Sequence, residues 1–137
     1  MKLLQTLTLK STYEEVERVE EMLTALQEEL GFNDEFYARL MLTVSEAATN
    51  GILHGNKLDE SKTVTIEAFK DGNKLIFDSK DQGEGFDPES IPNPLAEENL
   101  LKPSGRGVFL MEEYADEVSY SENGTRLKLV FTLPERL

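Results

Sequence analysis

Apolar residues change their spacing along the chain in a way that divides it into strands and helices. Leu3, Leu7 and Leu9 alternate with polar neighbours in a Thr-rich opening, which predicts a first strand. Ser11 and Thr12 then offer helix caps, with Glu14 and Glu15 suited to the positive end of a first turn. Val16, Val19, Leu23, Leu26 and Leu30 follow at helical spacing, and Gly31 is the expected stop. Asn33-Asp34 caps a second predicted helix, which runs to about His54 before Gly55 ends it. Leu42, Ala47, Ile52 and Leu53 line its apolar faces.

Beyond the helices the period returns to two. Val64, Ile66 and Ala68 alternate, Asp71-Gly72-Asn73 makes a hairpin turn, and Leu75, Ile76 and Phe77 resume the pattern. Residues 87–104 carry Pro88, Pro92, Pro94 and Pro103, so they are expected to form a long loop of the kind that serves as a lid or binding loop. Gly107, Val108, Leu110, Met111 and Tyr114 predict another helix. Val118 and Tyr120, an Asn123-Gly124 turn, and then Leu127, Leu129, Phe131 and Leu133 predict a closing hairpin. The order is strand, helix, helix, hairpin, loop, helix, hairpin, which favours an α+β fold: a mixed, largely antiparallel sheet with helices on one face.

At 137 residues the chain fits one domain, with no internal repeat or linker. There is no Cys, so neither a disulfide framework nor a thiolate metal site is open to it. Without a signal peptide or a long apolar run, a soluble cytoplasmic protein away from membranes is expected. Fourteen Lys and Arg stand against 27 Asp and Glu, a formal charge of −13 that disfavours direct contact with nucleic acid. The same field repels a nucleoside triphosphate, so such a ligand would have to arrive with a divalent cation and meet local donors.

Candidate chemistry begins on the second predicted helix, where Glu46, Asn50 and His54 recur every fourth residue. In an α-helix that spacing is roughly 40° around and about 6 Å along the axis, so the three would share one stripe. Asn50 offers a neutral carbonyl oxygen to the octahedral shell of Mg²⁺, with phosphate oxygens and water filling the rest. Glu46 is placed to act as a general base on a hydroxyl or a water. His54 suits a phosphate contact or the negative end of the helix. As the only histidine it leaves none for a separate phosphoacceptor, which argues against a complete histidine kinase. Each residue also has an ordinary reading: a surface amide, a solvated helix charge, a helix-end cation.

Two glycine-rich stretches follow. In Asp81-Gln82-Gly83-Glu84-Gly85-Phe86 the carboxylate of Asp81 could accept hydrogen bonds from an exocyclic amine such as that of adenine, while Gly83 and Gly85 permit a close backbone approach. The same residues also suit an ordinary strand-ending turn. Gly105-Arg106-Gly107 precedes a predicted helix, where amides and the Arg106 guanidinium can meet phosphate. The Walker lysine motif is missing, and so is the third glycine of a dinucleotide fingerprint. Thr125 follows the last turn and could bring a hydroxyl near the base, or simply open a strand.

Taken in this order, the elements resemble the ATP-binding superfamily shared by gyrase, heat-shock chaperones, histidine kinases and mismatch-repair proteins. Residues 46–56 look like its N box, residues 81–86 its first glycine box, residues 105–110 its second and Gly124-Thr125 its adenine-side motif. The resemblance implies a two-layer α/β sandwich of the Bergerat type. The compact length, the His54-Gly55 pair and the segment from Gly105 to Met111 look most like anti-sigma factor serine/threonine kinases. That likeness implies ATP and Mg²⁺ as cofactors, and a partner switch in which the protein holds a sigma factor and phosphorylates an anti-anti-sigma antagonist. By motif, Glu46 becomes the catalytic base, Asn50 the magnesium ligand, Asp81 the adenine reader and Arg106 a phosphate contact. A nucleotide-dependent binding module without turnover and a simple ATPase are the competing expectations. Relatives often form homodimers through the N-terminal region, but burial of Leu3 to Leu9 and the following helix in the chain's own core explains the same apolar residues equally well.

Overall fold

The computed structural model describes residues 1–83 and 111–134. Among these, β1 (Lys2–Lys10) leads through a 3₁₀ turn (Tyr13–Arg18) into α1 (Val19–Leu30). Then come α2 (Asp34–Thr49), a π-helical turn (Asn50–Gly55) and the strands β2 (Thr63–Asp71) and β3 (Lys74–Lys80). Residues 111–114 are helical, and β4 (Glu117–Ser121) and β5 (Arg126–Thr132) close the fold. The five strands form one sheet in the order β1-β2-β3-β5-β4, and every pairing is antiparallel.

The α+β class expected from the pattern is the one observed. Leu7, Leu9, Val64, Ile66, Ala68, Leu75, Phe77, Leu127, Leu129 and Phe131 alternate along the strands onto one face of the sheet. Val19, Met22, Leu23 and Leu26 of α1, with Phe36, Leu40, Val44, Ala47 and Ala48 of α2, bury against them. Rings of Phe32, Phe36, Phe131 and Phe77 meet edge to face in a chain through this core, at centroid separations of 5.1, 6.2 and 5.9 Å. The apolar residues of β1 and α1 are therefore largely absorbed by the chain's own core. Leu3 departs from that pattern. A bulge between Leu3 and Gln5 shifts the register by one residue, so Leu3 pairs with Phe69 and lies exposed while Leu4 packs against the core.

Local chemistry explains where the helices begin and end. Asn33 caps α2 by accepting the Phe36 N–H at 2.8 Å, and Gly31 ends α1 in the left-handed conformation at φ 73°. The expected cap at Ser11-Thr12 is different. Thr12 precedes a 3₁₀ turn without a side-chain cap, and Ser11 is buried with its hydroxyl donated to the Lys62 carbonyl at 2.7 Å. No described helix is long and apolar enough to cross a membrane.

Candidate functional site

The second helix does not stay α-helical to His54. From Asn50 to Gly55 it widens into a π-helical turn, closed when the Asn56 N–H reaches back five residues to the Gly51 carbonyl at 2.8 Å. Two glycines within six residues weaken the α-helix locally, and both are needed for close packing. A Cβ on Gly51 would lie 2.9 Å from Cγ2 of Val64, and one on Gly55 would lie 2.4 Å from Cγ of Asp81. The single α-helical stripe of Glu46, Asn50 and His54 is thus revised. Glu46 and Asn50 keep α-helical spacing and are half-buried, whereas His54 falls within the wide turn and is exposed in its last turn.

The wide turn is the floor on which Asp81 sits. Its Cβ is 3.6 Å from the position a Cβ of Gly51 would take, and its carboxylate lies over Gly55. Gly83 approaches even more closely, since a Cβ there would be 1.9 Å from the Gly55 carbonyl oxygen. Residues from two distant stretches of sequence, Asn50–Gly55 and Asp81–Gly83, are thereby brought into contact. Thr125 joins them through its carbonyl, which accepts the Asp81 N–H at 2.9 Å, while its hydroxyl is donated to the Glu122 carbonyl at 2.7 Å. Burial pushes the Asp81 carboxyl up from the ordinary carboxylate value, opposed by the Gly83 N–H that it accepts at 2.8 Å and by the positive charge of Lys62. A partly desolvated carboxylate in a glycine-lined cradle is a strong acceptor when ionised. Gly85, Gly105, Arg106 and Gly107 lie outside the described residues.

Two supports of this site escape sequence reasoning. Asn56, the last residue of the N-box-like stretch, is buried, and its carboxamide bonds to three separate segments. In sequence it reads as a turn residue after glycine, with no signal for those distant partners. Asp78, on the opposite face of β3 from Phe77, is buried in a bidentate pair with Arg126, which raises the Arg126 pKa above its usual value. That pair fixes the start of β5 directly after Thr125. A charged residue between Phe77 and Ser79 was its only trace.

The fold is an α/β sandwich with a glycine-lined carboxylate cradle, and comparison with known proteins places it more narrowly. Residues 9–131 match the histidine kinase-like ATPase domain, and the chain belongs to that family. Among its relatives are an anti-sigma F factor of Clostridium perfringens, 38% identical over 90 residues that cover 64% of each chain, and a serine-protein kinase RsbW of Staphylococcus epidermidis, 33% identical over 99 residues, or 65% of this chain and 61% of that one. A serine-protein kinase RsbW of Listeria monocytogenes is 29% identical over 121 residues, covering 83% of this chain and 77% of the relative. The chain spans 64% and 61% of the length of the first two.

Proposed function

We propose that this chain is an ATP-dependent serine/threonine protein kinase of the anti-sigma type, which holds a sigma factor and phosphorylates an anti-anti-sigma antagonist that competes for it. The observation that carries this reading is the seating of Asp81 on the turn that begins at Asn50, one helical turn beyond Glu46. Relatives named as anti-sigma factor and serine-protein kinase support the regulatory and catalytic parts of it.

In this reading Asp81 accepts the exocyclic amine of adenine, and Thr125 closes the same side. Gly83 lets the backbone run close beneath the base. Asn50 would offer its carboxamide oxygen to a magnesium ion carried by the triphosphate, and that ion would neutralise phosphate charge. Glu46 takes the proton of the acceptor hydroxyl as its oxygen bonds to the terminal phosphorus. The bond from that phosphorus to the bridging oxygen breaks, and ADP leaves with the electron pair. His54, at the rim of the wide turn, and Arg106 supply phosphate contacts.

The test is transfer of labelled phosphate from ATP to a purified antagonist in the presence of magnesium. Glu46→Gln should retain nucleotide binding and lose transfer by roughly 10²–10⁴-fold, the usual worth of a general base. Transfer at the unaltered rate would remove Glu46 from the chemistry. Nucleotide-dependent partner capture without any transfer would make the protein a binding module, and steady phosphate release without an acceptor would make it an ATPase.

A further inference from the structure

Asn56 is 1% exposed, and every polar atom of its carboxamide is used across element boundaries. Nδ2 donates to Ser11 Oγ at 2.9 Å and to the Thr63 carbonyl at 3.0 Å, while Oδ1 accepts the backbone N–H of Gln82 at 2.8 Å. These partners fix the orientation of the amide, because a flipped carboxamide would set NH₂ against N–H. Ser11 in turn donates to the Lys62 carbonyl at 2.7 Å, and the Gln82 side-chain oxygen accepts the Thr63 N–H at 2.7 Å. The network joins the end of β1, the start of β2 and the residues that leave β3, all at the foot of the wide turn.

Gln82 lies between Asp81 and Gly83, and its N–H belongs to the peptide that follows Asp81. Holding that N–H fixes the peptide plane from which the Asp81 side chain projects. Asp81 has one further backbone restraint, its own N–H donated to Thr125. We infer that Asn56 is a positioning residue for base recognition: through Gln82 it sets the distance and angle at which the Asp81 carboxylate meets the exocyclic amine of adenine. The inference rests on the adenine-reading role given to Asp81 above.

The experiment compares affinities for magnesium-ATP and for the triphosphate of purine riboside, which lacks the exocyclic amine, by equilibrium titration. In Asp81→Asn the preference for ATP should collapse toward parity. Asn56→Ala should lower the same preference about fivefold while changing affinity for the amine-free analogue less than about twofold, the size expected for one misaligned hydrogen bond to a charged group. In the Asp81→Asn background it should have no further effect on the preference. Hydrogen exchange at the Gln82 amide should accelerate, with the amides of β3 unchanged. If Asn56→Ala does not fold, Ser11→Ala, which removes the hydroxyl that orients the carboxamide, should lower the preference about twofold and speed the same exchange. Equal losses for both nucleotides, or an unchanged preference where Asp81→Asn abolishes it, would overturn the inference. An unchanged preference in Asp81→Asn would instead overturn the assignment of Asp81.

Discussion

Asp81 carries two opposite pH dependences. Its folded pKa is raised by burial, so the native state binds more protons than the unfolded chain between the ordinary carboxylate value and the raised one. Its contribution to stability is therefore fully present below the unfolded value and is lost as pH rises through the folded one. Asp81→Asn removes that loss, so its melting temperature relative to the parent protein should climb as pH rises through the raised pKa. A pH-independent gap in thermal melts would contradict the burial argument. Under the proposed function ligand affinity should run the other way, because an ionised carboxylate is the better acceptor for an exocyclic amine. Gly83 gives a sharper test at the same scale. A Cβ there meets backbone, which cannot rotate away, so Gly83→Ala should cost roughly 1–3 kcal/mol in denaturant unfolding and weaken ATP binding. Gly72→Ala has open space around its Cβ and only a left-handed φ of 60° to oppose it, so about 1 kcal/mol and unaltered ATP binding are expected. The cradle's Asp81 and Gly83 were legible in sequence because both carry their chemistry in the residue type itself. Asn56 was not, since its meaning depends on Ser11 and Gln82, 45 and 26 residues away.

At the scale of elements, capping and alternation predicted most of what is seen. Asn33, Gly31 and the hairpin turn at Gly72 act through neighbours within a few residues, so their sequence signals are local. The bulge after Leu3 has no comparable signal, and Gly51 and Gly55 mark a weakened helix at the π-helical turn without specifying its width. Each arises because a partner strand or a packed carboxylate imposes a register that the segment alone would not choose. The wide turn also corrects the idea of a single helical stripe, leaving Glu46 and Asn50 as the pair with α-helical spacing and His54 at the edge. Glu46, the proposed base, lies on α2, so the cap of that helix supports the segment that carries it. Asn33→Ala should cost about 1 kcal/mol and lower the melting temperature by roughly 3–5 °C, with the denaturant m-value unchanged. No loss of stability would mean that tertiary packing alone fixes the start of α2.

For the molecule as a whole, the two-layer arrangement has a simple consequence: α2, one of the helices that cover the sheet, ends in a wide turn packed on the exit of its central strand. β3 lies in the middle of the order β1-β2-β3-β5-β4, so Asp81 leaves a strand paired on both sides. The chain as a whole carries a formal net charge of −13, and a bare triphosphate would meet repulsion from it. Under the proposed function the cation would be part of the ligand, and chelation of magnesium should weaken nucleotide binding. The most direct measurement is a calorimetric titration of the purified protein with ATP in magnesium, repeated with Asp81→Asn. Saturable binding of a single nucleotide per chain, lost in that variant and strongly weakened by EDTA, is the predicted result. No binding by the parent protein in magnesium, or equal binding by Asp81→Asn, would contradict a nucleotide site built on Asp81 and the turn beneath it.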